Sequence, residues 1–168
     1  MWFLSCQAGG YQALYSNSNG IFNTAAGFSA LDLNTTGGAN TAFGASALQI
    51  NATGNGNTAL GDSALGNNAI GSSNIALGVN AGNGVTTANN VICIGIGGAN
   101  VSDSCYIGNI FNATSSGGTP VYVNSNGKLG TTTSSRWFKE EIKPMEQASE
   151  ALFALKPVIF RYKKEIDP

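Results

Sequence analysis

A glycine returns every 17 residues in this chain, at Gly10, Gly27, Gly44, Gly61, Gly78 and Gly95. A second glycine column (Gly20, Gly37, Gly54, Gly71) and an asparagine column (Asn17, Asn34, Asn51, Asn68) keep the same step. A fixed period this short means one structural unit stacked on itself. The expected fold is therefore mainly β: a parallel β-roll or β-solenoid of 17-residue coils.

Aligned on the first glycine column, the units read Asn23-Thr-Ala-Ala-Gly27, Asn40-Thr-Ala-Phe-Gly44, Asn57-Thr-Ala-Leu-Gly61, Asn74-Ile-Ala-Leu-Gly78 and Val91-Ile-Cys-Ile-Gly95. The alternation is strand-like. It puts the Thr/Ile and Phe/Leu/Ile positions on one face and Ala25, Ala42, Ala59 and Ala76 on the other. A whole column of alanine implies close approach, either by the opposite wall of the coil or by a neighbouring chain. A second short segment follows each glycine (Phe28-Ser-Ala-Leu31, Ala45-Ser-Ala-Leu48, Asp62-Ser-Ala-Leu65) and reads as a second strand. Asn34-Thr-Thr-Gly37 and Asn51-Ala-Thr-Gly54 are turn chemistry. Parallel stacking at about 4.8 Å per step gives a rod of roughly 29 Å, and asparagine side chains can hydrogen-bond from coil to coil. A thin rod with few large apolar residues buries little, so an obligate oligomer is expected, joined through the alanine face.

Charge divides the chain. Up to Gly127 the only Asp, Glu, Lys or Arg residues are Asp32, Asp62 and Asp103, whereas from Lys128 onward charges are dense. The net charge of −1 gives no field suited to nucleic acid. With no histidine, imidazole chemistry and imidazole metal ligation are excluded. Cys6, Cys93 and Cys105 lack C-x-x-C spacing, so no metal site or cofactor is expected. Cys93 continues the alanine column and reads as a small buried residue; a Cys93–Cys105 bridge is the alternative. Cys6 stands in a column otherwise held by Asn23, Asn40, Asn57 and Asn74, so the chain is expected to begin inside a repeat. Met1–Leu4 is too short for a membrane span, and no membrane insertion is expected. Asn34-Thr-Thr, Asn51-Ala-Thr, Asn100-Val-Ser and Asn112-Ala-Thr match the N-glycosylation pattern, as this composition would produce by itself.

The N-T-A-[LF]-G and N-I-A-L-G units resemble the head repeats of YadA-like trimeric adhesins and phage tail-fibre proteins. That resemblance covers roughly residues 6–105 and implies a β-roll assembled as a homotrimer. The coil here is longer than in the best-known adhesin heads.

Beyond Gly95 the columns fade. Tyr106–Phe111 reads as a last strand, and Pro120–Leu129 as a β-hairpin turning at Asn126-Gly127. Met145, Ala148, Leu152 and Leu155 have helical spacing between Pro144 and Pro157, and Val158–Tyr162 reads as a strand. The order S-S-R-W-F-K-E-E-I-K-P, helix, K-P-V-I-F-R-Y resembles the start of the endosialidase-type intramolecular chaperone domain, a self-cleaving serine peptidase module. The resemblance implies that the module assists trimer folding and is released by cleavage just before Ser134, with Lys139 completing a Ser–Lys dyad. The family usually carries Asp after the serine; this chain has Ser135.

The chemistry is intelligible from the residues. In a chain without histidine, lysine is the available base for a serine hydroxyl. It serves only if burial or a nearby cation lowers its pKa from about 10.4, and Glu140 and Glu141 oppose that wherever they lie close.

Three regions are thus expected: a β-roll head or shaft (1–105), a collar or hairpin junction (106–133) and a truncated chaperone and auto-processing domain (134–168). The chain is expected to be a truncated product or gene fragment. The leading function is a structural and binding segment of an extracellular, cell-surface or virion tail fibre, with host surface glycan as a possible ligand class. The alternative is an ice-binding or other glycan-binding β-solenoid without peptidase activity; Thr24, Thr41 and Thr58 form a threonine column, although it turns into Ile75 and Ile92. A free-standing enzyme is the weakest option, because the repeat region carries three acids and no paired-carboxylate motif.

Overall fold

A computed structural model describes residues 6–131 of the chain. It divides into two units, Met1–Thr114 and Ser115–Pro168. The first unit is a parallel β-solenoid. Its seven strands are β1 (Gln7–Gly9), β2 (Thr24–Ala26), β3 (Thr41–Phe43), β4 (Thr58–Leu60), β5 (Ile75–Leu77), β6 (Ile92–Ile94) and β7 (Cys105–Ile107). They form one sheet in chain order. From β1 to β6 each residue pairs with the residue 17 positions on, as in Thr41↔Thr58, Ala42↔Ala59 and Phe43↔Leu60. The glycine period is therefore the sheet register itself.

The alanine column lies inside. Ala25, Ala42, Ala59 and Ala76 are buried within their own coils against Ala30, Ala47, Ala64, Ala81, Leu31, Leu48 and Leu65. The close approach is by the opposite wall, which corrects the expectation that copies associate through the alanine face. What faces outward is the Thr/Ile and Phe/Leu/Ile pair of columns.

The second segment of each coil is a turn, not a strand. Ala30 and Leu31 are adjacent in sequence and both fully buried. A strand points neighbouring side chains to opposite faces, so it cannot bury both in one interior. The chain instead bends through left-handed residues, Ser29 (φ 52) and Leu31 (φ 52), repeated at Ser46, Leu48, Ser63 and Leu65. Positive φ on a leucine costs about 1–2 kcal/mol. Burial of the side chain, about 1.5–3 kcal/mol, offsets it. Backbone pairing between coils continues through the bend: Ser29 N–H donates to Tyr11 C=O (2.9 Å) and Leu31 N–H to Ala47 C=O (3.0 Å).

The glycine column ends each strand with φ between 134° and 142° at Gly10, Gly27, Gly44 and Gly61. A Cβ on Gly44 would also run into the Gly61 carbonyl oxygen. Both conformation and space exclude any other residue there.

Asparagine supplies the polar half of the core. Asn34, Asn51 and Asn68 each donate from Nδ2 to the preceding member of their column, Asn51 to Asn34 at 2.9 Å and Asn68 to Asn51 at 3.0 Å. In a second column the Oδ1 of Asn23, Asn40, Asn57 and Asn74 accepts the backbone N–H of the next coil, at 2.9–3.0 Å. The two columns converge on one glycine carbonyl per coil. Gly54 C=O accepts from Asn40 (2.8 Å) and Asn51 (3.0 Å), and Gly71 C=O from Asn57 (2.8 Å) and Asn68 (2.9 Å). Cys6 holds the asparagine position in the first coil, its thiol donating to Gly20 C=O at 3.4 Å.

The stack changes at its β7 end. The last pairing, Ile92↔Cys105, spans 13 residues instead of 17. Along the alanine column the residues become Cys93 and then Tyr106, whose ring packs on the core and lies against Gly98. Val85 replaces the next asparagine. In earlier coils three consecutive N–H groups share one backbone carbonyl of the next coil, as Thr35, Thr36 and Gly37 do on Ala52 C=O. At the end, Thr86, Thr87 and Ala88 N–H donate to the Asn100 side-chain Oδ1 (3.0, 2.9 and 2.8 Å). In this shortened coil Asn100 supplies, from its side chain, the acceptor that a backbone carbonyl supplies in the earlier ones. β7 stops at Ile107, short of the expected Phe111, where Asn109 takes a left-handed φ of 62.

In the second unit, β8 (Tyr122–Val123) and β9 (Leu129–Gly130) form the expected antiparallel hairpin. Its turn is one residue wider than Asn126-Gly127 alone. Gly127 N–H closes on Asn124 C=O (2.9 Å) with Gly127 at φ 73, the three-residue loop with a left-handed glycine. Asn124 Oδ1 accepts from Asn126 and Lys128 N–H (3.0 and 2.9 Å). No helix occurs among the described residues. The helix expected at 145–155 and the strand at 158–162 lie outside them.

Candidate functional site

Ser134 and Lys139 lie outside the described residues. Among the described residues no cluster of His, Cys, Asp or Glu is placed to hold a metal ion, and no helix is long and apolar enough to cross a membrane. A shallow hollow of about 220 Å³ is lined by Tyr122, Val123, Asn124, Lys128, Gly130 and Thr131 of the hairpin unit. It is smaller than the roughly 300–1,000 Å³ of typical ligand pockets.

The broad feature is the outward face of the β1–β7 sheet. One column runs Thr24, Thr41, Thr58, Ile75, Ile92, Cys105 and the other Ala26, Phe43, Leu60, Leu77, Ile94, Ile107. Phe43 is 57% exposed, Leu60 46%, Leu77 45% and Ile75 45%. Parallel sheets are normally covered on both faces and therefore read as near-continuous apolar runs. Val91-Ile-Cys-Ile94 is such a run, yet one of its faces is uncovered among the described residues. The threonines alternate with apolar columns and give no paired T-x-T surface. Beside this face Tyr11 and Phe28 stack at 5.6 Å with rings 15° from parallel, both exposed.

The candidate modification sites separate on burial. Asn34 and Asn51 are fully buried with their amides bonded, so neither accepts a glycan in the folded coil. The cysteines are free: Cys93 is buried and Cys105 exposed. The register sets Cys105 beside Ile92 on the outer face and Cys93 beside Tyr106 on the inner one, so they form no bridge. Burial pushes the Cys93 thiol up, the neighbouring Cys105 adds to this, and a backbone hydrogen bond at Gly82 opposes it. The thiolate is the reactive form. Cys105 is therefore expected to react with a disulfide reagent at neutral pH at least tenfold faster than Cys93, which waits for unfolding. Equal rates in a thiol-titration time course would contradict this placement.

The described residues form a parallel β-solenoid whose outward sheet face is apolar and exposed. No family model, curated protein or solved structure matches the chain.

Proposed function

We propose that the chain is the structural and binding segment of a homotrimeric surface or tail fibre, and that residues 134–168 are the start of an intramolecular chaperone. The observation that supports this is the unbroken register from β1 to β6 with its outer face left apolar and uncovered. A sheet of that kind completes its burial by association. The neutral, Asn- and Thr-rich surface suits polar ligands, with host surface glycans as the class and an extracellular or virion location. In the auto-processing step Lys139 takes the proton of the Ser134 hydroxyl, the oxygen attacks the Thr133 carbonyl carbon, the Ser134 amine leaves with that proton, and water hydrolyses the resulting ester to free a chain that begins at Ser134.

Two measurements test the reading. Light scattering on the purified full chain is expected to give three times the 17.1 kDa of one chain. A monomer removes the fibre reading. Incubation followed by intact mass spectrometry is expected to show a product beginning at Ser134, absent in Ser134→Ala and Lys139→Ala. A stable intact mass in the unsubstituted chain removes the auto-processing step and leaves the fibre reading standing.

A further inference from the structure

We infer that Asn126, in the loop of the β8–β9 hairpin, is a self-modifying site, where the side chain cyclises onto the backbone and a neutral amide becomes a carboxylate. The reaction needs only water and is independent of the fibre reading.

The chemistry belongs to Asn-Gly pairs. The backbone nitrogen of the glycine attacks the asparagine Cγ, ammonia leaves, and a five-membered succinimide closes. Water then opens the ring at either carbonyl. One opening gives aspartate. The other gives isoaspartate, in which the main chain runs through the side-chain methylene. Glycine permits the approach because it has no Cβ beside its own nitrogen. The attacking form is the deprotonated nitrogen, so a held N–H resists the reaction and rising pH speeds it.

The chain contains Asn19-Gly20, Asn55-Gly56, Asn83-Gly84 and Asn126-Gly127. The first three lie in the solenoid, where each glycine N–H is tied to a neighbouring coil. Gly20 donates to Thr35 C=O (3.2 Å), Gly56 to Gly38 C=O (3.0 Å) and Gly84 to Gly97 C=O (2.8 Å). Asn55 is also fixed at both ends of its amide, with Nδ2 on Thr53 C=O (2.9 Å) and Oδ1 accepting Gly38 N–H (2.8 Å). Asn83 Oδ1 accepts Asn67 Nδ2 (2.7 Å), and Gly20 is buried. Attack at these three requires the coils to part.

Asn126 is exposed, and the space around the Gly127 Cβ position is open. Gly127 N–H is bonded as well, to Asn124 C=O (2.9 Å), but only within its own loop. That loop hangs on β8 and β9, strands of 2 residues each, a pairing that is marginal by itself. Local opening is easiest in such segments and hardest in packed ones. The same dipeptide is therefore quick in the hairpin and slow in the solenoid.

The isoaspartate form adds one carbon to the backbone between Asn124 and Lys128. Gly127 N–H to Asn124 C=O and Asn124 N–H to Lys128 C=O (3.1 Å) both close around the loop as it now stands. The lengthened loop cannot make both, so β8 and β9 part as the chain ages, and a carboxylate appears two residues from Lys128.

The test is incubation of the purified full chain at neutral and mildly alkaline pH, with peptide mapping that separates Asn, Asp and isoaspartate. Asn126 is expected to convert at least about tenfold faster than Asn19, Asn55 or Asn83, the ratio that about 1.4 kcal/mol of opening cost supplies. The rate is expected to rise with pH, and in denaturant the rates at all these pairs are expected to converge. Asn124→Ala removes the Oδ1 that holds Asn126 and Lys128 N–H (3.0 and 2.9 Å), and is expected to speed Asn126 severalfold while leaving Asn55 as it was. Equal or faster conversion at a solenoid pair in the folded chain overturns the site. Selectivity that persists in denaturant overturns the fold as its cause. A rate unmoved by pH overturns the cyclisation, and a rate unmoved in Asn124→Ala overturns the loop as its brake.

Discussion

Asn57→Leu is expected to lower stability by about 3–5 kcal/mol, a fall of roughly 10 °C in the unfolding midpoint. The side chain is fully buried and bonded on both sides of its amide. Its Nδ2 donates to Gly71 C=O (2.8 Å) and Asn40 Oδ1 (3.1 Å), and its Oδ1 accepts Asn74 N–H (3.0 Å). Leucine keeps the branched shape but is bulkier, and it orphans the buried Asn74 N–H. Gly71 C=O keeps its bond from Asn68 and Asn40 Oδ1 keeps the Asn57 N–H, so the loss centres on one donor and on four ruptured bonds, the fourth a long one to Asn51 Oδ1 (3.4 Å). Because each coil touches only its neighbours, the damage is expected to divide the stack at the fourth and fifth coils. Hydrogen exchange would show this as lost protection in β4 and β5 ahead of β2. Unchanged melting of Asn57→Leu would mean that the asparagine columns are incidental.

Gly44→Ala is expected to be of similar size, about 3–5 kcal/mol, for a different reason. At φ 137 an alanine is strained by roughly 1–3 kcal/mol. Its methyl would also press on the Gly61 carbonyl, which already accepts the Ala64 N–H in the bend (3.3 Å). The next coil must shift to admit it, and that movement opposes the pairing of β3 with β4. Gly97→Ala is the matched control, with open space around its Cβ position, and is expected to change stability by less than about 0.5 kcal/mol. Equal melting temperatures for the two variants would show that the glycine column reflects composition and not geometry.

Much of this architecture was legible in residue spacing, because stacking converts a structural register directly into a sequence period. Gly44 recurs as Gly61 since both occupy one bend in successive coils, and Asn34 recurs as Asn51 since each amide bonds the next. The hairpin was legible from Asn126-Gly127, though Asn124 proved to be the side chain that organises its loop. The second segment of each coil was not legible. Ser-Ala-Leu alternates as a strand would, and nothing in the residue types announces a leucine at positive φ. The inside and outside of the alanine column were likewise undetermined, since a small residue fits equally against a chain's own wall or a neighbour's. The shortened final coil escaped notice because its 13-residue step breaks the period that revealed the others. Ser134 and Lys139 were nominated by motif resemblance, and they fall outside the described residues.

A stack of identical coils has no internal reason to end, and an unprotected last rung would recruit any compatible strand. Toward its β7 end the regular step is broken by three ordinary side chains. Val85 removes the amide that the next coil would continue, Tyr106 fills the interior where an alanine would leave room, and Asn100 answers the three N–H groups that would otherwise call for another rung. Together they act as a full stop written into the sequence. The regular 17-residue step therefore ends at β6, before the last strand of the sheet does. A further full-length repeat grafted after Gly95 would have to displace all three of these side chains before it could take up the register of the coils below it.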